Sequence, residues 1–202
     1  MKNKLKHLVP VLLALATITG SLSACELKPE AQQKVSKQGF YFDTIIQITL
    51  YGTTDEKYID DCFDMAKKYE DMLSNTVSYS EVSKINDAAG KEYVTVSNDT
   101  LELIKKGIEY GDTSDGRFDI TIGNLSDLWN FSEIAENTDS KDNEVDASVV
   151  PSDAQIQSEL SHVNYRNIQI NGNAVMLTDS KAKLDLGGIA KGFIAANGLI
   201  VW

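Results

Sequence analysis

The chain has 202 residues, 42% apolar, 24% charged and 8% aromatic, which excludes collagenous, low-complexity and wholly disordered classes. Lysine and arginine number 19 against 30 aspartates and glutamates, a net charge of −11 that becomes −14 once Lys2, Lys4 and Lys6 are set aside. That acidity excludes a nucleic-acid partner held through phosphates and adhesion to anionic lipid through a basic patch. With two histidines and two cysteines, a His-cluster metal site, a thiolate zinc site and a disulfide framework are all excluded.

The first elements belong to export. Lys2, Lys4 and Lys6 form a basic start, and Leu8 to Ile18 is an apolar run too short to span a bilayer. Leu22-Ser23-Ala24-Cys25 resembles the lipobox of bacterial lipoproteins, whose cysteine becomes the lipidated N-terminus. Residues 1–24 are thus expected as a lipoprotein signal peptide, with Cys25 lipidated and the mature chain anchored on the extracytoplasmic face of the cell membrane. The residues alone also admit an ordinary signal peptide with a chance cysteine. Residues 25–38 read as a tether: Glu26 to Gln38 is polar and aperiodic.

Strands and helices then alternate. Phe40 to Tyr51 reads as one strand, with Ile46, Ile48 and Leu50 on one face. Asp55 to Ser74 reads as a helix, its stripe formed by Ile59, Cys62, Phe63, Ala66, Tyr69 and Leu73. Cys62 on that stripe is expected as a packed core thiol. Tyr93 to Val96 is a short strand, and Asn98 is placed to cap a helix running to about Tyr110. Ser132 to Val149 is an acidic insertion; it lacks the glycine and terminal glutamate of an EF-hand and reads as solvated surface. Pro151 and Ser152 open a short helix through Leu160. Asn167 to Leu177 is a hairpin, with Asn171-Gly172 as the positive-φ pair of a type I′ turn. His162 fits no catalytic role and reads as a surface or strand-edge residue. The fold class is α+β, a mixed or antiparallel sheet with packed helices.

Two segments carry chemistry. The stretch from Ser114 to Gly123, followed by Leu125, Trp129 and Phe131, mixes apolar and polar residues without helical period. Glycines at 111, 116 and 123 let the backbone approach something closely, and Asp119 and Thr121 sit among apolar neighbours that demand polar partners. A turn and a buried strand satisfy this pattern. The second segment, Lys183 to Gly192, runs from a strand through Gly187-Gly188 into a helix, with Lys191 one turn in. Such a turn favours an anion, although it is neither a Walker A loop nor a G-x-G-x-x-G fingerprint.

Together with Ser80-Glu81-Val82-Ser83-Lys84-Ile85-Asn86, these blocks resemble the ApbE family of FAD:protein FMN transferases. The agreement includes Gly116-Arg117-Phe118-Asp119-Ile120-Thr121-Ile122-Gly123 and Asp185-Leu186-Gly187-Gly188-Ile189-Ala190-Lys191-Gly192, in order, over residues 39 to about 196. The resemblance implies layers of the T-fold-like kind. It implies an enzyme that takes FAD as substrate, uses Mg²⁺ on its pyrophosphate, and moves FMN onto a threonine or serine hydroxyl of a target flavoprotein subunit of a redox complex. It places Phe42 where the family has a flavin-contacting methionine, and Thr76 where an aromatic often faces the flavin. It places Arg117, Phe118 and Asp119 along the FAD site, Asp185 and Lys191 on FAD, and the Gly188 carbonyl on magnesium. Core packing is an equal reading of Phe118.

In the family the chain continues past the Lys-Gly motif into strands and side chains that complete the magnesium site. Here Ile194-Ala195-Ala196-Asn197-Gly198 leads to Trp202. The expectation is a domain over residues 39–202 that is the N-terminal portion of such an enzyme, truncated at its C-terminus. Two other functions stay open: an inactive flavin-binding lipoprotein, and a substrate-binding lipoprotein with no flavin role.

Overall fold

The computed structural model describes residues 33–42, 44–131 and 150–200, with side chains described as far as Ala196. The signal segment, Cys25 and the acidic insertion lie outside the described residues.

The chain opens with an antiparallel pair, β1 (Lys34–Tyr41) and β2 (Thr44–Tyr51), in which Lys34 faces Tyr51 and Phe40 faces Ile45. The single strand expected over Phe40–Tyr51 is therefore the second arm of a hairpin. Its reversal uses Phe42, held at a left-handed φ of 52° while its N–H donates to the Glu70 carboxylate at 2.8 Å. Residues 34–38, read as tether, belong to β1. Its half-buried positions, Val35, Lys37, Gly39 and Tyr41, do not form an apolar series, so alternation in the sequence is hidden. Lys37 holds its place by pairing with Glu56 at 2.8 Å and Asp60 at 2.7 Å.

Helix α1 (Lys57–Leu73) buries Ile59, Ala66, Tyr69 and Leu73, as its spacing predicts. Phe63 stacks on Tyr41 at 5.6 Å between ring centres. Cys62 departs from expectation. It is half-buried and faces a groove under β2 rather than the core.

Helix α2 (Glu81–Asp87) begins at Ser80, whose Oγ accepts from the Ser83 N–H. After β3 (Val94–Thr95), helix α3 (Asn98–Thr113) is capped by Ser97 and not by Asn98. Ser97 Oγ accepts from the Thr100 N–H, and the Glu81 carboxylate accepts from the Ser97 N–H and hydroxyl at 3.1 and 2.9 Å. Glu81 thus ties the start of one helix to the cap of the next. Each such cap is worth about 1 kcal/mol. Helix α3 continues past Tyr110 because Gly107 and Gly111 open one face to close neighbours. A Cβ on Gly107 would stand 2.6 Å from Ile120, and one on Gly111 2.8 Å from the Tyr165 ring.

The region read as a buried strand forms a second surprise: Gly123–Trp129 is a helix, α4. What remains of the strand is a single parallel bridge between Ile122 and Lys183. The segment's aperiodic sequence reflects a turn, a bridge and a short helix in quick succession. Helix α5 (Asp153–Leu160) starts as expected, with a full capping box between Ser152 and Gln155.

Strands β4 (Ile168–Asn171) and β5 (Ala174–Leu177) form the expected hairpin, and β3 joins β5 to give the antiparallel order β3-β5-β4. Its two-residue loop is Gly172-Asn173, one position later than expected, because Asn171 pairs with Ala174. Gly172 has φ 58° and neither asparagine is left-handed, the pattern of a type II′ turn rather than I′. Helix α6 (Gly187–Ile200) packs against α1 and α3. The main core lies between this sheet and helices α1, α2, α3 and α6, around Ile104, Ile120, Val175, Leu177 and Leu184. This arrangement is α+β, as the sequence indicates.

Candidate functional site

The glycine pair at the start of α6 is approached by a segment, residues 181–187, that belongs to no sheet. Its expected strand is replaced by a strap held from both sides. On one side, Asn86 at the end of α2 grips a single residue: Leu184 N–H donates to Asn86 Oδ1 at 2.7 Å, and Asn86 Nδ2 donates to the Leu184 carbonyl at 3.1 Å. On the other side, Asp185 N–H donates to the Ile120 carbonyl at 2.8 Å and Gly123 N–H to the Lys183 carbonyl at 2.9 Å. Asn124 Nδ2 donates to the Lys181 carbonyl at 2.5 Å. Gly123 is required there, since a Cβ would sit 2.7 Å from the Lys183 carbonyl oxygen. Lys183 also pairs with Asp127 of α4. The three sequence blocks are therefore one assembly: the first and second hold the third.

The strap begins at another anchored point. Asp179 accepts from the Lys181 N–H at 2.9 Å and meets His162 Nδ1 at 2.8 Å. The Lys181 N–H, then His162, holds the Asp179 carboxyl below the usual carboxylate range. His162 is thus a half-buried partner of the strap's first turn, not a free surface residue.

Asp119 and Thr121 have the polar partners the sequence demanded. Asp119 Oδ1 accepts from the Thr121 N–H and hydroxyl at 2.8 and 2.6 Å, and Oδ2 from the Tyr165 N–H at 2.8 Å. Thr121 Oγ1 in turn accepts from the Asn164 N–H at 2.8 Å. Asp119 therefore fixes the loop that presents its neighbours. Tyr165 is buried and donates its hydroxyl to Asp112 at 2.7 Å; burial first, then that bond, raises its phenol pKa.

Phe118 and Arg117 stand beyond this knot. Asp115 and Gly116, at φ 56° and 76°, turn the chain so that Arg117 is exposed. Phe118 is half-buried, with its N–H donating to Ser114 Oγ at 2.9 Å. Its ring meets Tyr110 edge-on at 5.9 Å and lies so close over Gly188 that a Cβ there would approach to 3.2 Å. Phe118 packs on the core and also roofs the glycine pair. Asp185 accepts from the Gly187 N–H at 2.8 Å, so a carboxylate already occupies part of the anion-favouring end of α6. Gly187 and Gly188 themselves are exposed.

One turn further along α6, Lys191 reaches a groove of about 530 Å³ between β2, α1 and α6. Phe42, Ile46, Ile48, Leu50, Met65 and Ile194 are among its lining, and Cys62 opens into it. Burial raises the Cys62 thiol pKa, so the groove presents a neutral thiol. The structure thus places Phe118, Asp185 and Gly188 together at one end of α6, with Arg117 exposed on the turn before Phe118, and Phe42 with Lys191 along the side of the helix. Thr76 joins neither group. It lies exposed in the turn after α1, its N–H donating to Ser74 Oγ at 3.1 Å.

Asn86, Asn124 and Glu70 carry positioning bonds that the sequence reading did not assign. Asn86 ends the first block, and its signal was an amide at a helix terminus next to no obvious partner. Among the described residues no group of three or more His, Cys, Asp or Glu side chains converges to hold a metal ion. The Gly188 carbonyl and Asp185 alone do not make a magnesium site.

Known proteins share this arrangement. The chain is 29% identical over 185 residues to the FAD:protein FMN transferase of Vibrio cholerae, covering 90% of this chain and 52% of that protein. It is 32% identical over 152 residues to the FAD:protein FMN transferase of Klebsiella pneumoniae, covering 74% and 44% respectively. Among solved structures, the flavin transferase ApbE from Vibrio cholerae superposes with a TM-score of 0.70 at 22% identity, a likeness of fold, covering 84% of this chain and 53% of that one. The ApbE protein of Thermotoga maritima gives 0.68 at 29% identity, covering 84% and 52%. The chain spans about half the length of the curated relatives it matches. Residues 42–199 match the ApbE family model, and with its three motifs joined around one helix start the chain belongs to the ApbE family.

Proposed function

We propose that this chain acts in FAD:protein FMN transfer, holding FAD for attack by a threonine or serine hydroxyl of a target flavoprotein. The observation that carries the reading is the convergence of all three motifs on the segment that leads into the exposed Gly187-Gly188 turn, with Lys191 one helical turn on and Arg117 exposed beside Phe118 in an otherwise acidic protein. The glycines let a diphosphate come close to the backbone, and the two cations offset its charge. The Phe118 ring supplies a flat apolar face beside them, and the groove under β2 offers Phe42 and further apolar area.

In the transfer, the acceptor oxygen forms a bond to the phosphorus of the FMN half. The phosphoanhydride P–O bond breaks, AMP leaves with the electron pair, and the hydroxyl proton passes to solvent. The residues here bind and orient; alignment of the two reactants is the main contribution such a surface makes. Mg²⁺ would neutralise the diphosphate; the Gly188 carbonyl would supply one ligand, and the described residues offer no carboxylate cluster to complete the site. The target is proposed to be a subunit of a redox complex. Cys25 and the preceding signal support a lipid anchor on the extracytoplasmic face of the membrane.

The test is titration of the purified chain with FAD, followed by incubation with FAD, Mg²⁺ and an acceptor flavoprotein, reading flavin fluorescence on the denatured acceptor. Saturable FAD binding and a fluorescent acceptor band are expected. A folded sample that binds no FAD overturns the reading. FAD binding without labelled acceptor assigns the chain to flavin retention and removes the transfer step.

A further inference from the structure

We infer that Asn86 is the positioning residue that sets the Gly187-Gly188 turn for a flavin nucleotide's diphosphate; this rests on the function proposed above. Leu184 is fully buried, yet its N–H and carbonyl point away from any sheet. A buried peptide of this kind needs both bonds, and each missing one costs about 1–3 kcal/mol. Asn86 supplies both from a single side chain, at 2.7 and 3.1 Å. A primary amide offers a donor and an acceptor in the geometry of a peptide, so it stands where a neighbouring strand would otherwise stand.

The consequence reaches the site through two residues. Asp185 follows Leu184 directly and is fixed on its other side by the Ile120 carbonyl. Its carboxylate then accepts from the Gly187 N–H, which sets where the glycine pair begins. Releasing Asn86 frees one side of the strap immediately before that carboxylate. Asn86 is half-buried at the end of α2, away from the groove lining and from Phe118. It acts through the backbone of Leu184 and is given no contact with the nucleotide.

The experiment compares the full chain with Asn86→Ala, Asn86→Asp and the control Asn173→Ala. Two readouts are taken: amide hydrogen exchange, and FAD affinity across pH. In Asn86→Ala, exchange at Leu184, Asp185 and Gly187, whose N–H groups are bonded, should rise at least about 10-fold while Val175 and Leu177 in the sheet stay protected, and FAD affinity should fall about 10-fold. Asn86→Asp keeps the acceptor for Leu184 N–H but sets a carboxylate against the Leu184 carbonyl. Protonating it restores a donor, so its FAD affinity relative to wild type should recover as pH is lowered from about 8 to about 5.5. Asn173→Ala removes an exposed amide bond to Asn98 Oδ1 outside the strap and should change FAD affinity by less than about threefold.

Unchanged exchange at Asp185 and Gly187 in Asn86→Ala overturns the inference, as does wild-type FAD affinity in that variant. If Asn86→Ala fails to fold, Asn86→Asp decides: a flat affinity ratio across pH overturns the proposal. If the wild-type chain binds no FAD, the functional reading falls and takes the diphosphate role with it. The exchange data then decide separately whether Asn86 holds the turn.

Discussion

The β1–β2 hairpin and the strap-bearing sheet are built on opposite terms. In the hairpin, Phe40, Ile45 and Tyr51 are 66%, 69% and 63% exposed, and the inner face lines an open groove. Around the strap, Val175, Leu177 and Leu184 are all at 0%. The first region is held by one ladder of backbone bonds, the Tyr41–Phe63 ring contact and polar ties from Lys37 and Phe42 to α1 and the residue before it; the second by interlocked side chains and by amides borrowed from distant elements. Stability should therefore concentrate in the second, and ligand chemistry should appear where the second meets the first, along α6.

The largest effect that separates the regions is in the core. Leu184→Ala should cost about 2–5 kcal/mol. Phe40→Ser on the hairpin's outer face should stay within about 0.5 kcal/mol. Denaturant melts of the two variants check this, and equal losses would remove the distinction. Next comes overpacking. Gly111→Ala drives a methyl to 2.8 Å from the Tyr165 ring and should cost about 1–3 kcal/mol, despite alanine's better helix propensity. Gly192→Ala, with nothing near its Cβ, should instead hold or raise the melting point.

Smaller effects sharpen the boundary between holding and binding. Arg117→Ala and Lys191→Ala should each weaken FAD binding about 10-fold with no shift in melting temperature, because both side chains are exposed. A melting loss comparable to that of Leu184→Ala would move them into the structural class. The smallest concerns pH. Asp179 has a lowered carboxyl pKa in the folded state, so its contribution is present above the unfolded carboxylate pKa and fades as pH falls through the folded value. The melting temperatures of wild type and Asp179→Asn should differ at neutral pH and converge in acid. A constant gap across that range would show that the Asp179 charge is not what anchors the strap.

Much of this was legible in the sequence, and the exceptions share a cause. The α1 stripe and the Ser152 capping box are periodic or local signals, and the structure reproduces them. Phe118, Asp185 and Gly188 lie together at the start of α6, and Phe42 and Lys191 line the adjoining groove. What could not be read depends on partners far along the chain. Strand β1 hides because Lys37 occupies an inward position and is paid for by Glu56 and Asp60 on another element. Helix α4 hides in a motif whose residues answer to Lys181 and Lys183 rather than to a helical period. The cap at Ser97 outranks Asn98 because Glu81 reaches it from α2. Thr76 was placed by its position in a motif, and the turn it occupies keeps it out of the groove lining.

The bonds between Asn86 and Leu184 close a span of 98 residues. Contacts between such distant residues carry a large loop-closure cost and come late in folding. Helices α1 to α3 and the β4–β5 hairpin need no such closure and form from local contacts. The glycine turn therefore takes its final shape only after the chain from Asn86 to Leu184 has been closed. On the flavin role proposed above, nucleotide uptake would report that this long-range closure has been made.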